Sequence, residues 1–240
     1  MNIKKKLSPN FSKKTRSKTK IKYVIFHYTG MQSEIESLKR LRNIKTKVSC
    51  HYHINRKGRI SQLVKENRVA WHAGKSRWKD LKNFNESSIG IELENKGHRF
   101  GYQNFPNLQI KSLIKLCKRL KKKYNFKKEN FLGHSDIAPM RKIDPGEKFP
   151  WNKLSKYKIG SWYKTNKRNY NLNDKSFQTL FFKNIYKIVY RYFFQNIRNT
   201  KDKKIIKVFQ QRYCPNKITG KIDQKLLKIS HFLAYKNKKA

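Results

Sequence analysis

The chain has 240 residues, long enough for one well-buried core and a smaller second unit. Its 60 Lys and Arg against 14 Asp and Glu give a net charge of +46, but the excess runs from Lys4 to Lys239 amid abundant Asn, Ile, Phe and Tyr, and no zinc-finger, RNA-recognition or helix-turn-helix pattern accompanies it. A specific nucleic-acid binder is therefore set aside; the lack of any run of about 18 apolar residues excludes a membrane-spanning helix, and the scattered Cys50, Cys117 and Cys214 imply no disulfide framework.

Residues 1–20 are basic and Ser/Thr-rich, which predicts a mobile arm. No apolar stretch of signal-peptide length comes after the positive start, so the expected compartment is the cytoplasm, with the periplasm or cell envelope as the alternative. The continuous apolar run Tyr23-Val-Ile-Phe26 marks a strand buried on both faces, and it delivers His27 at its C-terminal end, where open α/β sheets place their sites. Ser33 with Glu36 forms a capping box for a helix from Glu34 to about Arg42. Two short strands, 51–55 and 60–64, flank Arg56-Lys57-Gly58-Arg59 as a hairpin.

The stretch Ser88 to Glu94 alternates as a strand, with Ile89, Ile91 and Leu93 on one face and Gly90, Glu92 and Glu94 on the other. Pro106 opens a helix whose apolar positions Leu113, Ile114, Leu116, Cys117 and Leu120 keep helical spacing to about Tyr124. Phe131 to Gly133 is a short extended segment leading into His134, and Pro139, Pro145, Gly146 and Pro150 keep the segment beyond it irregular. Three helices come after a polar stretch, over 177–197, over 205–213, and beyond a capping Asp223. The expected organisation is a mobile arm over 1–20, a catalytic domain over 21–163, a linker over 164–175 and a small helical domain over 176–240.

His134 and Asp144 sit in one Pro-punctuated segment, and His27 lies at the end of a buried strand. Two imidazoles and a carboxylate are the ligand set of a catalytic zinc that leaves one position to water, whereas structural zinc prefers thiolates. Taken singly, a histidine ending a strand is more often structural, and an aspartate before Pro-Gly fits a turn. Together they point to metal-assisted hydrolysis, which also needs a carboxylate to take a proton from water and a cation to oppose the developing oxyanion. Glu92 or Glu94 supplies the first, and periodicity does not choose between them; Lys142, beside Asp144, is a candidate for the second.

The segments Ser8-Pro-Asn-Phe11, Ile25-Phe-His-Tyr-Thr-Gly30, His51-Tyr52, Ala70-Trp-His-Ala-Gly74, Ser88-Ile-Gly-Ile-Glu92, Gly133-His-Ser-Asp-Ile-Ala-Pro139, Arg141-Lys142, Asp144-Pro-Gly146 and Phe149-Pro-Trp151 resemble, in this order, the zinc-dependent N-acetylmuramoyl-L-alanine amidases of the type-2 amidase family. The resemblance covers about residues 8–162. It implies an α/β fold with a mixed central sheet flanked by helices, one Zn²⁺, and cleavage of the amide between N-acetylmuramic acid and L-alanine in peptidoglycan or muropeptides. A non-catalytic peptidoglycan-recognition protein of the same fold is the alternative.

By position, the resemblance makes His27, His134 and Asp144 the zinc ligands, selects Glu92 over Glu94 as the base, and makes Lys142 the oxyanion-stabilising cation. It places His51, Trp71, His72 and Asn95 along the cleft as substrate-binding residues. Cys50 departs from the pattern, standing where relatives tend to carry a small residue such as alanine. Val208-Phe-Gln210 and Gly220-Lys-Ile-Asp223 resemble an appended three-helix peptidoglycan-binding domain.

Overall fold

The computed structural model describes residues 1–164, 174–188 and 200–235. In chain order its strands are β1 (Ile3–Lys5), β2 (Phe11–Thr15), β3 (Tyr23–Tyr28), β4 (Tyr52–Ile54), β5 (Ile60–Gln62), β6 (Arg68–Ala70), β7 (Arg77–Trp78), β8 (Leu81–Lys82), β9 (Ser88–Leu93) and β10 (Phe131–Gly133). The helices are α1 (Glu34–Arg42), α2 (Phe84–Ser87), α3 (Asn107–Tyr124), α4 (His134–Ile137), α5 (Trp151–Ser155), α6 (Asp174–Ile188), α7 (Thr200–Tyr213) and α8 (Gln224–Tyr235). Six strands form a mixed sheet in the order β1-β5-β4-β9-β3-β10. Within it β4, β9, β3 and β10 run parallel, while β5, with β1 parallel to it, runs against them, β4 and β5 closing the expected hairpin.

The parallel run positions the site. Phe26 pairs with Ile91 and with Gly133, so His27, Glu92 and the His134 next to Gly133 emerge together at the carboxyl ends of β3, β9 and β10. Phe26 is fully buried among Phe131, Phe149 and Trp151, with ring centroids 5.2 to 6.2 Å away, and this aromatic packing anchors the strand end that presents His27. On that face of the sheet, Val24, Ile89, Ile91 and Ile54 pack against Leu113, Leu116, Cys117 and Leu120 of α3. Truncating one such leucine to alanine costs about 2–5 kcal/mol. The helix carries no Gly or internal Pro and closes on Asn125 in the left-handed conformation (φ 53°).

The opposite face joins the C-terminal helices to the sheet in one continuous apolar cluster. Ile25, Leu132 and Ile137 belong to it with Phe181 and Ile185 of α6, Phe209 of α7 and Leu227 of α8. The helices expected over 205–213 and beyond Asp223 are present; α7 starts earlier than its periodicity indicates, and the Asp223 carboxylate accepts the Leu226 amide at 2.8 Å. Of the helix expected over 177–197, positions 189–197 lie outside the described residues, as does most of the expected linker. No helix among the described residues is long and apolar enough to cross a membrane.

The expectation of a mobile arm over 1–20 is wrong. β1 lies parallel to β5 at the sheet edge, and β2 pairs antiparallel with β6. Ser8 donates to the Leu41 carbonyl at 2.6 Å, and the Asn10 amide donates to the carbonyls of Asn43 and Val48, both at 2.8 Å. Arg16, 6% exposed, donates to the carbonyls of Glu66, Asn85, Glu86 and Ser88 at 2.7 to 3.0 Å. Burial lowers its pKa to about 10. Composition reads such a segment as solvated, but backbone pairing and buried carbonyls lacking donors hold it in place.

Candidate metal centre

His27 Nδ1, His134 Nδ1 and Asp144 Oδ2 each lie 3.0 Å from the other two. All three residues are buried. His27 is delivered by β3, His134 by the turn directly after β10, and Asp144 by the loop beyond it, whose carbonyl accepts the Ser135 amide at 2.8 Å. Where the sequence indicates an irregular loop, residues 134–137 form the single helical turn α4, with the Asp136 carboxylate accepting the Gly133 amide at 2.7 Å.

Hydrogen bonds beyond this trio fix what its atoms offer. His134 Nε2 lies 3.0 Å from the Ala73 carbonyl, an acceptor only, and 3.4 Å from Arg141 Nη2, which already donates to that carbonyl; the shorter contact puts the proton on Nε2 and leaves Nδ1 a lone pair. For His27 the chain is longer. The Ser88 hydroxyl donates to the Phe84 carbonyl and accepts from His72 Nε2 at 3.3 Å, which leaves His72 Nδ1 to accept from His27 Nε2 at 3.0 Å. His27 Nδ1 is thereby a lone pair as well. Two imidazole lone pairs and a carboxylate oxygen converging on one point are an arrangement that a cation satisfies.

The electrostatics agree. Burial and the neighbouring His134 bring the His27 pKa down to about 4, so the ring is neutral at ordinary pH and available as a ligand. Glu92 lies next to His27 in the β3–β9 register. Burial, then the charge of Asp144, push it well above the usual range, while Lys142 opposes that shift. Its Oε2 is enclosed and has no hydrogen-bond partner among the described residues. Lys142 is half-buried, and its charge acts on both Glu92 and His27. Glu94, the other carboxylate of that face, accepts the Arg56 amide at 2.9 Å in the hairpin and is engaged there.

The four residues expected along the cleft divide. Trp71 is half-buried, with its backbone amide on the Ser49 hydroxyl. His51 and Asn95 need correction, because neither offers a polar atom to a ligand. His51 is fully buried, accepts the Gly90 amide on Nδ1 at 3.0 Å, and has Nε2 against the Arg68 carbonyl and Arg16. Asn95 is buried, donates to the Gln103 carbonyl and accepts the Gly97 and Gln103 amides, which shapes the loop after β9. His72 has both nitrogens engaged and supports His27 from behind.

Supporting residues that sequence reasoning missed include Ser88, Ala73 and Arg141, whose guanidinium holds the carbonyls of Ala73 and Lys75. One signal was available in Gly90: a Cβ there would overlap the His72 ring, and a glycine within a strand marks such a close approach.

A buried His-His-Asp centre at the carboxyl ends of parallel strands in a mixed sheet defines a hydrolase with a metal-binding site. The model of the N-acetylmuramoyl-L-alanine amidase family matches residues 17–147. The chain is 34% identical over 233 residues to the N-acetylmuramoyl-L-alanine amidase AmiD of Escherichia coli, covering 90% of this chain and 83% of that protein. It is 43% identical over 108 residues to the 1,6-anhydro-N-acetylmuramyl-L-alanine amidase AmpD of Haemophilus influenzae, 45% of this chain and 56% of that one. The structure of E. coli AmiD with anhydro-N-acetylmuramic acid-L-Ala-D-gamma-Glu-L-Lys superimposes with a TM-score of 0.80 at 30% identity, covering 95% and 94% of the two chains. AmpDh3 from Pseudomonas aeruginosa, in complex with anhydromuramic pentapeptide, gives 0.75 at 26% identity over 97% and 98%. This chain belongs to the N-acetylmuramoyl-L-alanine amidase family, and it is an amidase that cleaves the bond between N-acetylmuramic acid and L-alanine.

Proposed function

We propose that the amidase is zinc-dependent and that its substrates are muropeptides, the anhydro forms bound by the AmiD and AmpDh3 structures among them. The observation that carries this reading is the convergence of two imidazole lone pairs, each ring fixed from behind, and one carboxylate oxygen. Two nitrogens and one oxygen suit zinc in a catalytic site with one position left open. A zinc ion held there supplies Lewis acidity towards water and the scissile carbonyl.

The chain's own residues do the rest. Glu92, with an enclosed and unpartnered oxygen beside the centre, takes the proton from the attacking water and returns it to the departing amine of L-alanine. Its raised affinity for protons suits the first role, and the nearby Lys142 keeps an ionised population available. Lys142 also opposes the negative charge that grows on the carbonyl oxygen. The stem peptide carries carboxylates, and a chain of net charge +46 attracts them over long range. The unpaired, buried Cys50, Cys117 and Cys214 are compatible with a cytoplasmic setting, in which released wall fragments would be the substrate.

Mass spectrometry of purified muropeptides incubated with zinc-loaded protein, beside a chelated sample, tests the proposal. Zinc-dependent release of intact stem peptide beginning at L-alanine is expected. Release that persists after complete metal removal would overturn the metal-dependent mechanism.

A further inference from the structure

The turn that carries His134 is gripped by the C-terminal helices. Asp136, 1% exposed, accepts the Gly133 amide on Oδ2, and the same oxygen receives Nη1 of Arg212 from α7. Arg212 is 5% exposed; its Nη2 reaches the Phe131 carbonyl at 3.5 Å, and its guanidinium lies 3.8 Å from the Trp151 ring centroid. A Cβ on Gly133 would meet Pro145 at 2.7 Å and Trp151 at 3.5 Å, so the residue before His134 is packed against the loop of Asp144. The neighbouring Gln211 donates to Glu147 at 3.4 Å, and Glu147 accepts from His98 Nε2 at 3.0 Å. Two adjacent residues of α7 thus hold both ends of the segment that supplies two of the three candidate ligands.

A buried carboxylate needs a buried cation, and here that cation comes from the helical unit rather than from the sheet that bears the site. A planar guanidinium that donates in two directions while stacked on an indole fixes orientation in a way a single flexible ammonium does not. We infer that Arg212 is a positioning residue of the metal centre: it fixes the His134 turn through Asp136, and so makes the C-terminal helices part of the apparatus that holds the metal. This rests on the reading of His27, His134 and Asp144 as metal ligands.

The test uses the full chain and measures zinc affinity by competition with a chromophoric chelator, together with the unfolding midpoint and steady-state kinetics on a muropeptide. R212Q is expected to weaken zinc binding about 10–100-fold, the range for lost outer-shell support, and to lower kcat with KM nearly unchanged. R212K, which keeps the charge and loses the fork, falls between R212Q and wild type, and it carries the test alone if R212Q does not fold. K217A, in the exposed Lys217–Asp223 pair of the same unit, retains wild-type zinc affinity. Wild-type zinc affinity in folded R212K and R212Q, with only a lower unfolding midpoint, overturns the inference. A wild-type protein that binds no zinc sinks the metal-ligand reading and the clamp with it; a wild-type protein that binds zinc and whose folded R212Q and R212K variants keep that affinity leaves the metal-ligand reading standing and overturns the clamp alone.

Discussion

Two buried carboxylates in different parts of the molecule keep opposite company. Glu66 accepts hydrogen bonds from the hydroxyls of Tyr52 and Tyr124, from Arg119 at 3.0 Å and from Lys123 at 2.5 Å. Burial alone would raise it, but these donors bring its pKa down to about 2. Asp144 meets two imidazole nitrogens whose protons are fixed on the far side of each ring. The first carboxylate is saturated with donors and ties α3 to the loop after β5. The second faces lone pairs, an arrangement that a cation satisfies. Donors around a buried carboxylate denote scaffolding, and acceptors around one denote a binding site.

The largest expected effect lies on the acceptor-lined side. His134→Ala should lose both bound zinc, by elemental analysis, and hydrolysis, to background; a zinc-replete variant would show that the coordination sphere is assigned wrongly. Glu92→Gln should keep its zinc and lose about 10²- to 10⁴-fold in kcat, since it removes a proton acceptor and no ligand. Full turnover in that variant sinks the role given to Glu92.

On the donor-lined side the expected effect is on stability. Glu66 titrates near 2 when folded against a usual 4.5, so its contribution is present above pH 4.5 and is lost as the pH falls towards 2. Glu66→Gln should therefore cost on the order of 3 kcal/mol at neutral pH and flatten the acid limb of the stability profile between those values, with zinc affinity unchanged. A parallel shift at every pH would mean that the carboxylate charge is not what the four donors require. The smallest effect is expected for Ser88→Ala, which removes the hydroxyl at the end of the His72 chain and should weaken zinc binding about tenfold. Unchanged affinity there would show that His72 keeps its orientation without Ser88.

The candidate ligands were legible through a local cue and a resemblance together: His27 ends an unbroken apolar strand, Pro139, Pro145 and Gly146 hold His134 and Asp144 on one irregular loop, and the family resemblance selects the three as a set. The main strands and α3 are marked by alternation and helical spacing. The support behind the ligands was not legible, because it joins residues distant in sequence: His72 with His27, Arg141 with Ala73, Arg212 with Asp136. In so basic a chain, no single arginine stands out before the fold brings it to a buried carboxylate. The same uniformity disguises residues 1–20, where Arg16 is a buried hydrogen-bond donor among lysines that are solvated. Motif position alone places His51 and Asn95 in the cleft, and that position does not reveal that their polar atoms are turned inward.

The placement of β1 carries a practical consequence. Without residues 3–5, strand β5 would become the border of the six-stranded sheet, with a row of backbone amides and carbonyls bared along it. Such a border is a template for pairing with a neighbouring molecule. Shortened versions of the protein that begin at Ile21, as the composition would tempt one to design, should therefore self-associate more readily as they are concentrated than versions that retain the first strand, whose own border carries Lys4 and Lys5.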